Sequence, residues 1–158
     1  MTSAGPVRFT ANEWLRIGEL PEGTSERVQA LAATLARAGV RAEASSQIRS
    51  VEWTKYVVGV SWMTLAALTR LETYRFFKHP DLAWIAAAVT REMAQLPVKL
   101  GIPLLDLGAF RAKTLSSVSF AETVANFRQV GETMEQQGAT AHKVSILQDL
   151  ERGRPLKV

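Results

Sequence analysis

One lysine leads into the most apolar run of the sequence. Lys55 lies in IRSVEWTKYVVGVSWMTLAALTRL, residues 48–71, and the 13 positions that follow it, Tyr56 to Leu68, carry no charge. Apolar walls lower the pKa of an ammonium toward working pH, the condition a lysine needs to give and take protons. Gly59 and Met63 stand four and eight residues after Lys55. Positions i, i+4 and i+8 share one helix face, so these three would line one wall. A purely structural account competes: Lys55 snorkels beside Trp53 and pairs with Glu52, one helical turn earlier. Composition alone favours that account, because lysines are seldom buried without a partner.

The element that positions Lys55 reads as a helix opened by Ser45 or Ser46. Val57, Val58, Val60, Trp62, Met63, Leu65 and Leu68 leave it without a polar face, so a buried central helix is expected. It is too short for a membrane span, which needs about 20 apolar residues. Before it, Val7 to Thr10 and Trp14 to Leu20 are two β-prone runs that suggest a hairpin. Thr24 or Ser25 then caps a helix whose apolar stripe is Val28, Leu31, Ala32, Leu35 and Ala36, closed by Gly39. Val40 to Ala44 is a further short strand. Beyond the central helix, Pro80 opens a long helix ending at Gly101. IPLLDLGAF, residues 102–110, reads as a packed loop. Ser119 and Glu122 form a capping box for a helix to about Gln137, and a last helix is expected from His142 to Arg152. The expectation is a mainly α chain with at least four long helices and β structure confined to the first 45 residues.

Composition narrows the function classes. The chain has 158 residues, 47% hydrophobic and 22% charged, which suits a folded domain with a real core. It contains no cysteine and two histidines far apart, so neither disulfides nor a metal centre are expected, and a reducing, cytoplasmic setting fits. The net charge of +4 is mild and its basic residues are dispersed. No nucleic-acid partner is expected. Nor does an export signal open the sequence.

Four stretches in order, GPVRFTANEWLRIGEL, SERVQALAATLARAGVRAEASSQIRSVEWTK, KLGIPLLDLG and HKVSILQDLERGRP, resemble the ketopantoate reductase (2-dehydropantoate 2-reductase) family. The resemblance covers nearly all of this chain and about the middle half of a full member. It implies residues 1–44 as a remnant of an NADP-binding Rossmann domain, built as two strands, a helix and a strand. Residues 45–158 would be the helical substrate and catalytic domain, similar to the C-terminal domain of 6-phosphogluconate dehydrogenase and truncated at its C-terminus. In the family, a 2-oxo acid, 2-dehydropantoate, is reduced to pantoate with NADP(H) in pantothenate biosynthesis. The ten glycines here stand at 5, 18, 23, 39, 59, 101, 108, 131, 138 and 153, so G-x-G-x-x-G is absent and NADP(H) is not expected to bind this chain alone.

Residue by residue, Lys55 matches the family lysine of W-x-K, a general acid toward the oxygen of the reduced carbonyl. Gly59 and Met63 fall where the family carries two substrate-holding asparagines. Ser145, in S-I-L-Q-D, matches a serine that contacts the substrate carboxylate, although a hydroxyl there could equally bond a backbone carbonyl. The family glutamate after R-P falls at Lys157, while Asp149 and Arg152 match positions that serve the fold. Three readings follow. The first is part of an NADP-dependent 2-oxo acid reductase, completed by a Rossmann-domain partner or a homodimer. The second is a stand-alone helical module that binds a small apolar ligand or a protein without redox activity. The third is a fragment without function.

Overall fold

The computed structural model describes residues 13–156 and divides the chain into two units, Met1–Arg49 and Ser50–Val158. Val7 to Thr10 and Lys157 lie outside the described residues. In the first unit, strand β1 (Leu15–Ile17) leads into helix α1 (Glu26–Arg37) and strand β2 (Ala42–Ala44). β1 and β2 pair in parallel, Leu15 opposite Ala42 and Ile17 opposite Ala44, so β1 belongs to a β-α-β crossover, while the first strand of the expected hairpin lies outside the described residues. The reason is connectivity: parallel strands need a long crossover, and the capped α1 supplies it. Ser25 is its N-cap, with Oγ accepting from Val28 N.

Glu19, just after β1, fixes the start of α1. Its carboxylate accepts from Arg27 Nε at 2.7 Å and Nη2 at 2.6 Å, and from Ser25 Oγ. Those bonds, Arg27 first and Ser25 next, bring its pKa from the ordinary 4.5 down to about 2. A carboxyl depressed by folding contributes stability that is fully present above the unfolded value and is lost as pH falls through the folded value. The urea midpoint difference between the chain and Glu19→Gln is therefore expected at neutral pH and should shrink to nothing between about 4.5 and about 2. A difference that is flat with pH would show that this carboxylate is not held by its ion pair.

The second unit is helical. Its elements are α2 (Ile48–Thr69, whose first two residues belong to the first unit), α3 (Thr73–Lys78), α4 (Pro80–Lys99), α5 (Ala112–Ser117), α6 (Phe120–Gln136) and α7 (Ser145–Glu151). Strands β3 (Asp106–Leu107) and β4 (Phe110–Arg111) form an antiparallel hairpin between α4 and α5. That hairpin corrects the expectation of β structure only before residue 45 and of a loop at 102–110. Its two-residue connection is Gly108-Ala109, with Gly108 at φ 58°, and a glycine leading a two-residue turn is a hairpin signal. α3 and α5 are short helices beyond the expected set, and α7 begins at Ser145, not at His142, because Val144, extended, is its N-cap. α6 carries the expected capping box, with both Ser119 and Glu122 bonds made.

The core is built around Phe76 and Phe77 of α3, Leu147 of α7, and Val57 and Val58 of α2, all but fully buried. Gly131 of α6 lets α3 come close: a Cβ there would lie 2.8 Å from Tyr74 O and 2.9 Å from Lys78 N, both backbone atoms. Backbone cannot swing aside. Gly131→Ala is expected to cost about 1–3 kcal/mol, read as a shift in denaturant midpoint, since overpacking forces α3 and α6 apart. A neutral result would mean that the two helices slide without loss.

Candidate functional site

α2 departs from the expected helix buried on every side. Its inward face carries small hydroxyls as well as valines, and two of those hydroxyls bond to distant parts of the chain. Thr54 Oγ1 accepts from Leu105 N at 2.9 Å, and Ser61 Oγ accepts from Thr90 Oγ1 of α4 at 3.2 Å while donating to Val58 O at 2.8 Å. With those residues inside, the large apolar ones on the other side are left out. Tyr56 is 52% exposed and Met63 43%. A helix without a polar face has been packed on one side only.

The open side of α2 forms one wall of a cavity of about 700 Å³. Lys55, Gly59 and Met63 lie along that wall, with Glu52, Trp53, Tyr56 and Val60 beside them. Two further residues come from elsewhere in the same unit: Leu96 from α4 and Phe110 from β4. Trp53 and Tyr56 meet edge to face at 5.8 Å. Phe110 is held from behind by Trp62, ring to ring at 5.6 Å and 27°, and Trp62 in turn abuts Phe77 at 5.1 Å. Trp62 Nε1 is buried and has no hydrogen-bond partner among the described residues.

The hairpin that carries Phe110 is pinned by Asp106. Its Oδ1 accepts from Thr114 N at 3.0 Å and its Oδ2 from Thr114 Oγ1 at 2.6 Å, which ties the hairpin to the first turn of α5. Partial burial works to raise the Asp106 pKa, but the Thr114 side-chain and backbone bonds outweigh it and the carboxyl stays below its usual value. The hairpin that carries Phe110 into the cavity lining is thereby fixed.

Lys55 is exposed and, among the described residues, forms no ion pair, with Glu52 or with any other carboxylate. It lines a mostly apolar cavity that it shares with one carboxylate, Glu52, to which it is not bonded. Gly59 is in mid-helix, where glycine costs about 0.5–1 kcal/mol relative to alanine. A Cβ at Gly59 would meet nothing within 4 Å, so packing does not demand it. Ser145 is the first residue of α7, exposed, and is not part of the cavity lining. The structure therefore brings Lys55, Gly59 and Met63 together and leaves Ser145 outside their wall. Leu96 and Phe110 escaped sequence reasoning because tertiary contact alone adds them, although the Gly108-Ala109 turn could have signalled the hairpin that presents Phe110.

The residues around β1 do not fit a dinucleotide. A pyrophosphate is held by backbone amides of a glycine-rich turn at a helix N-terminus. The turn between β1 and α1 instead contains Pro21, which has no N–H, and the start of α1 is taken by the Glu19 carboxylate. A second anion there would be repelled. Among the described residues no group of three or more His, Asp or Glu could hold a metal ion, and no helix is long and apolar enough to cross a membrane.

Comparison with known proteins agrees with this helical unit. The chain is 26% identical over 154 residues to the 2-dehydropantoate 2-reductase of Archaeoglobus fulgidus, covering 98% of this chain and 45% of that protein. It is 29% identical over 154 residues to the 2-dehydropantoate 2-reductase of Mesorhizobium japonicum, covering 98% and 41%. The crystal structure of 2-dehydropantoate 2-reductase from Methylococcus capsulatus superposes with a TM-score of 0.65 at 25% identity, over 89% of this chain and 39% of that one. The chain thus spans less than half the length of these relatives. The family described as ketopantoate reductase PanE/ApbA C terminal matches residues 47–158, from the last residue before α2 to the end of the sequence, and the chain belongs to the ketopantoate reductase family.

Proposed function

We propose that this chain supplies the helical, substrate-side part of a ketopantoate-reductase-like oxidoreductase that reduces a 2-oxo acid with NADP(H), the reaction that leads to pantoate in the family. One observation carries the reading: Lys55, without an ion-pair partner among the described residues, shares the wall of an open apolar cavity with Gly59 and Met63. In this reading Lys55 holds the oxo acid by its charge. It then gives a proton from Nζ to the carbonyl oxygen as that oxygen takes up negative charge, and it regains a proton from water, to which it is exposed. The apolar wall of Trp53, Tyr56 and Phe110 excludes water from the carbon side of the substrate.

NADP(H), when bound, supplies the hydride. Residues 1–44 are proposed as the remnant of a Rossmann domain, and the nucleotide is to be held by a Rossmann domain beyond the described residues. Ser145 stays in the reading by resemblance alone, as a contact for the substrate carboxylate. The site is tested by mixing the chain with the Rossmann half of a relative and following NADPH consumption with a 2-oxo acid. The expected result is turnover in the pair and none in either part. A pair that assembles but consumes no NADPH with any 2-oxo acid would overturn the redox reading and leave a ligand-binding module.

A further inference from the structure

The cavity itself says more about the ligand than the family does. Along the wall where two amides would be expected from the resemblance, Gly59 presents no side chain and Met63 a thioether. Trp53, Tyr56 and Val60 of the same helix and Leu96 and Phe110 from elsewhere complete the lining, so beyond Lys55 and Glu52 the surroundings are mostly apolar and largely aromatic. At about 700 Å³ the space falls in the range of pockets that take drug-sized ligands, and a small hydroxylated oxo acid fills little of it.

We infer that this site selects monocarboxylic 2-oxo acids with a large apolar, preferably aromatic, side chain over hydroxylated or dicarboxylic ones. The inference rests on the proposed role of Lys55 as the group that meets the oxo acid. Three features set the preference. Lys55 offers one positive charge, matched to one carboxylate. Glu52, on the same wall, repels a second. The remaining surface is mostly ring edges, ring faces, aliphatic groups and a sulfur, which favour an aromatic group and offer a hydroxyl far fewer partners than amides at 59 and 63 would. Gly59 leaves the depth for it.

The experiment is calorimetric titration of the chain with 4-phenyl-2-oxobutanoate, 2-dehydropantoate and 2-oxoglutarate, with circular dichroism confirming the fold of each variant. The phenyl compound is expected to bind about 10–100-fold more tightly than the other two, the discrimination that one buried polar or apolar group supplies. The double variant Gly59→Asn, Met63→Asn should place amides on the wall and bring the phenyl compound and 2-dehydropantoate within about threefold of one another, while 2-oxoglutarate, still facing Glu52, stays the weakest. Lys55→Ala should weaken all three and keep their order. Equal or reversed affinities in the unsubstituted chain, still weakened by Lys55→Ala, would overturn the inference and spare the role of Lys55. Binding that is absent, or indifferent to Lys55→Ala, would overturn both.

Discussion

Lys55→Ala is expected to lower turnover of a 2-oxo acid by about a hundredfold or more in the pair with a Rossmann half, while leaving the fold intact. A positioned proton donor is worth about 10²–10⁴ in rate, and a hundredfold corresponds to about 2.7 kcal/mol of transition-state stabilisation. The fold should survive because Lys55 is exposed and its side chain makes no hydrogen bond or ion pair among the described residues. Lys55→Arg separates charge from proton transfer. Arginine keeps the positive charge that holds a carboxylate but does not release a proton near neutral pH. It should therefore keep KM near that of the unsubstituted protein and lose kcat, whereas alanine should change both. Steady-state kinetics with circular dichroism as control checks this, and unchanged kcat in both variants would remove Lys55 from the chemistry.

The largest loss of stability is expected from Phe77→Ala. Phe77 is fully buried, and its ring meets three others: Phe76 at 4.5 Å, Phe127 at 4.9 Å and Trp62 at 5.1 Å. It thus joins α3, α6 and α2. Removing it leaves a cavity where three elements converge, and such truncations cost about 3–5 kcal/mol against a typical total of about 5–15. The same change loosens Trp62, which packs against Phe110 of the cavity lining, so ligand affinity should fall along with stability. Leu68→Ala is the control: Leu68 is 76% exposed, and its loss should stay within about 0.5 kcal/mol. Denaturant unfolding compares the two, and a Phe77→Ala cost near that of Leu68→Ala would mean that the aromatic cluster is not the centre of the fold.

What could be read in the sequence follows the range of the interactions involved. Ser25 before α1, Pro80 opening α4 and Ser119 with Glu122 before α6 are local signals, and each element starts there. The mainly helical class came from periodicity, which is also local. α2 defeated that reasoning because its sidedness is set by partners 51 and 29 residues away, Leu105 for Thr54 and Thr90 for Ser61. Hydrophobicity alone cannot show that small hydroxyls turn inward while Tyr56 and Met63 turn outward. The pairing of β1 with β2 depends in the same way on a crossover, whereas the β3–β4 hairpin does carry a local turn signal, Gly108-Ala109. For the site, helical spacing was enough to align Lys55, Gly59 and Met63. Leu96 and Phe110 needed the tertiary fold.

The central claim is that the Lys55 wall meets the oxo acid, and it is tested most directly by nuclear magnetic resonance on the isotopically labelled chain. Titrating 4-phenyl-2-oxobutanoate should shift the Lys55 side-chain signals, the Gly59 amide and the Met63 methyl together with the Trp53 indole, with one common saturation curve. Those shifts should vanish in Lys55→Ala or need far more ligand. Shifts confined to residues outside the cavity, or a Lys55 signal that stays still while ligand saturates, would contradict the account.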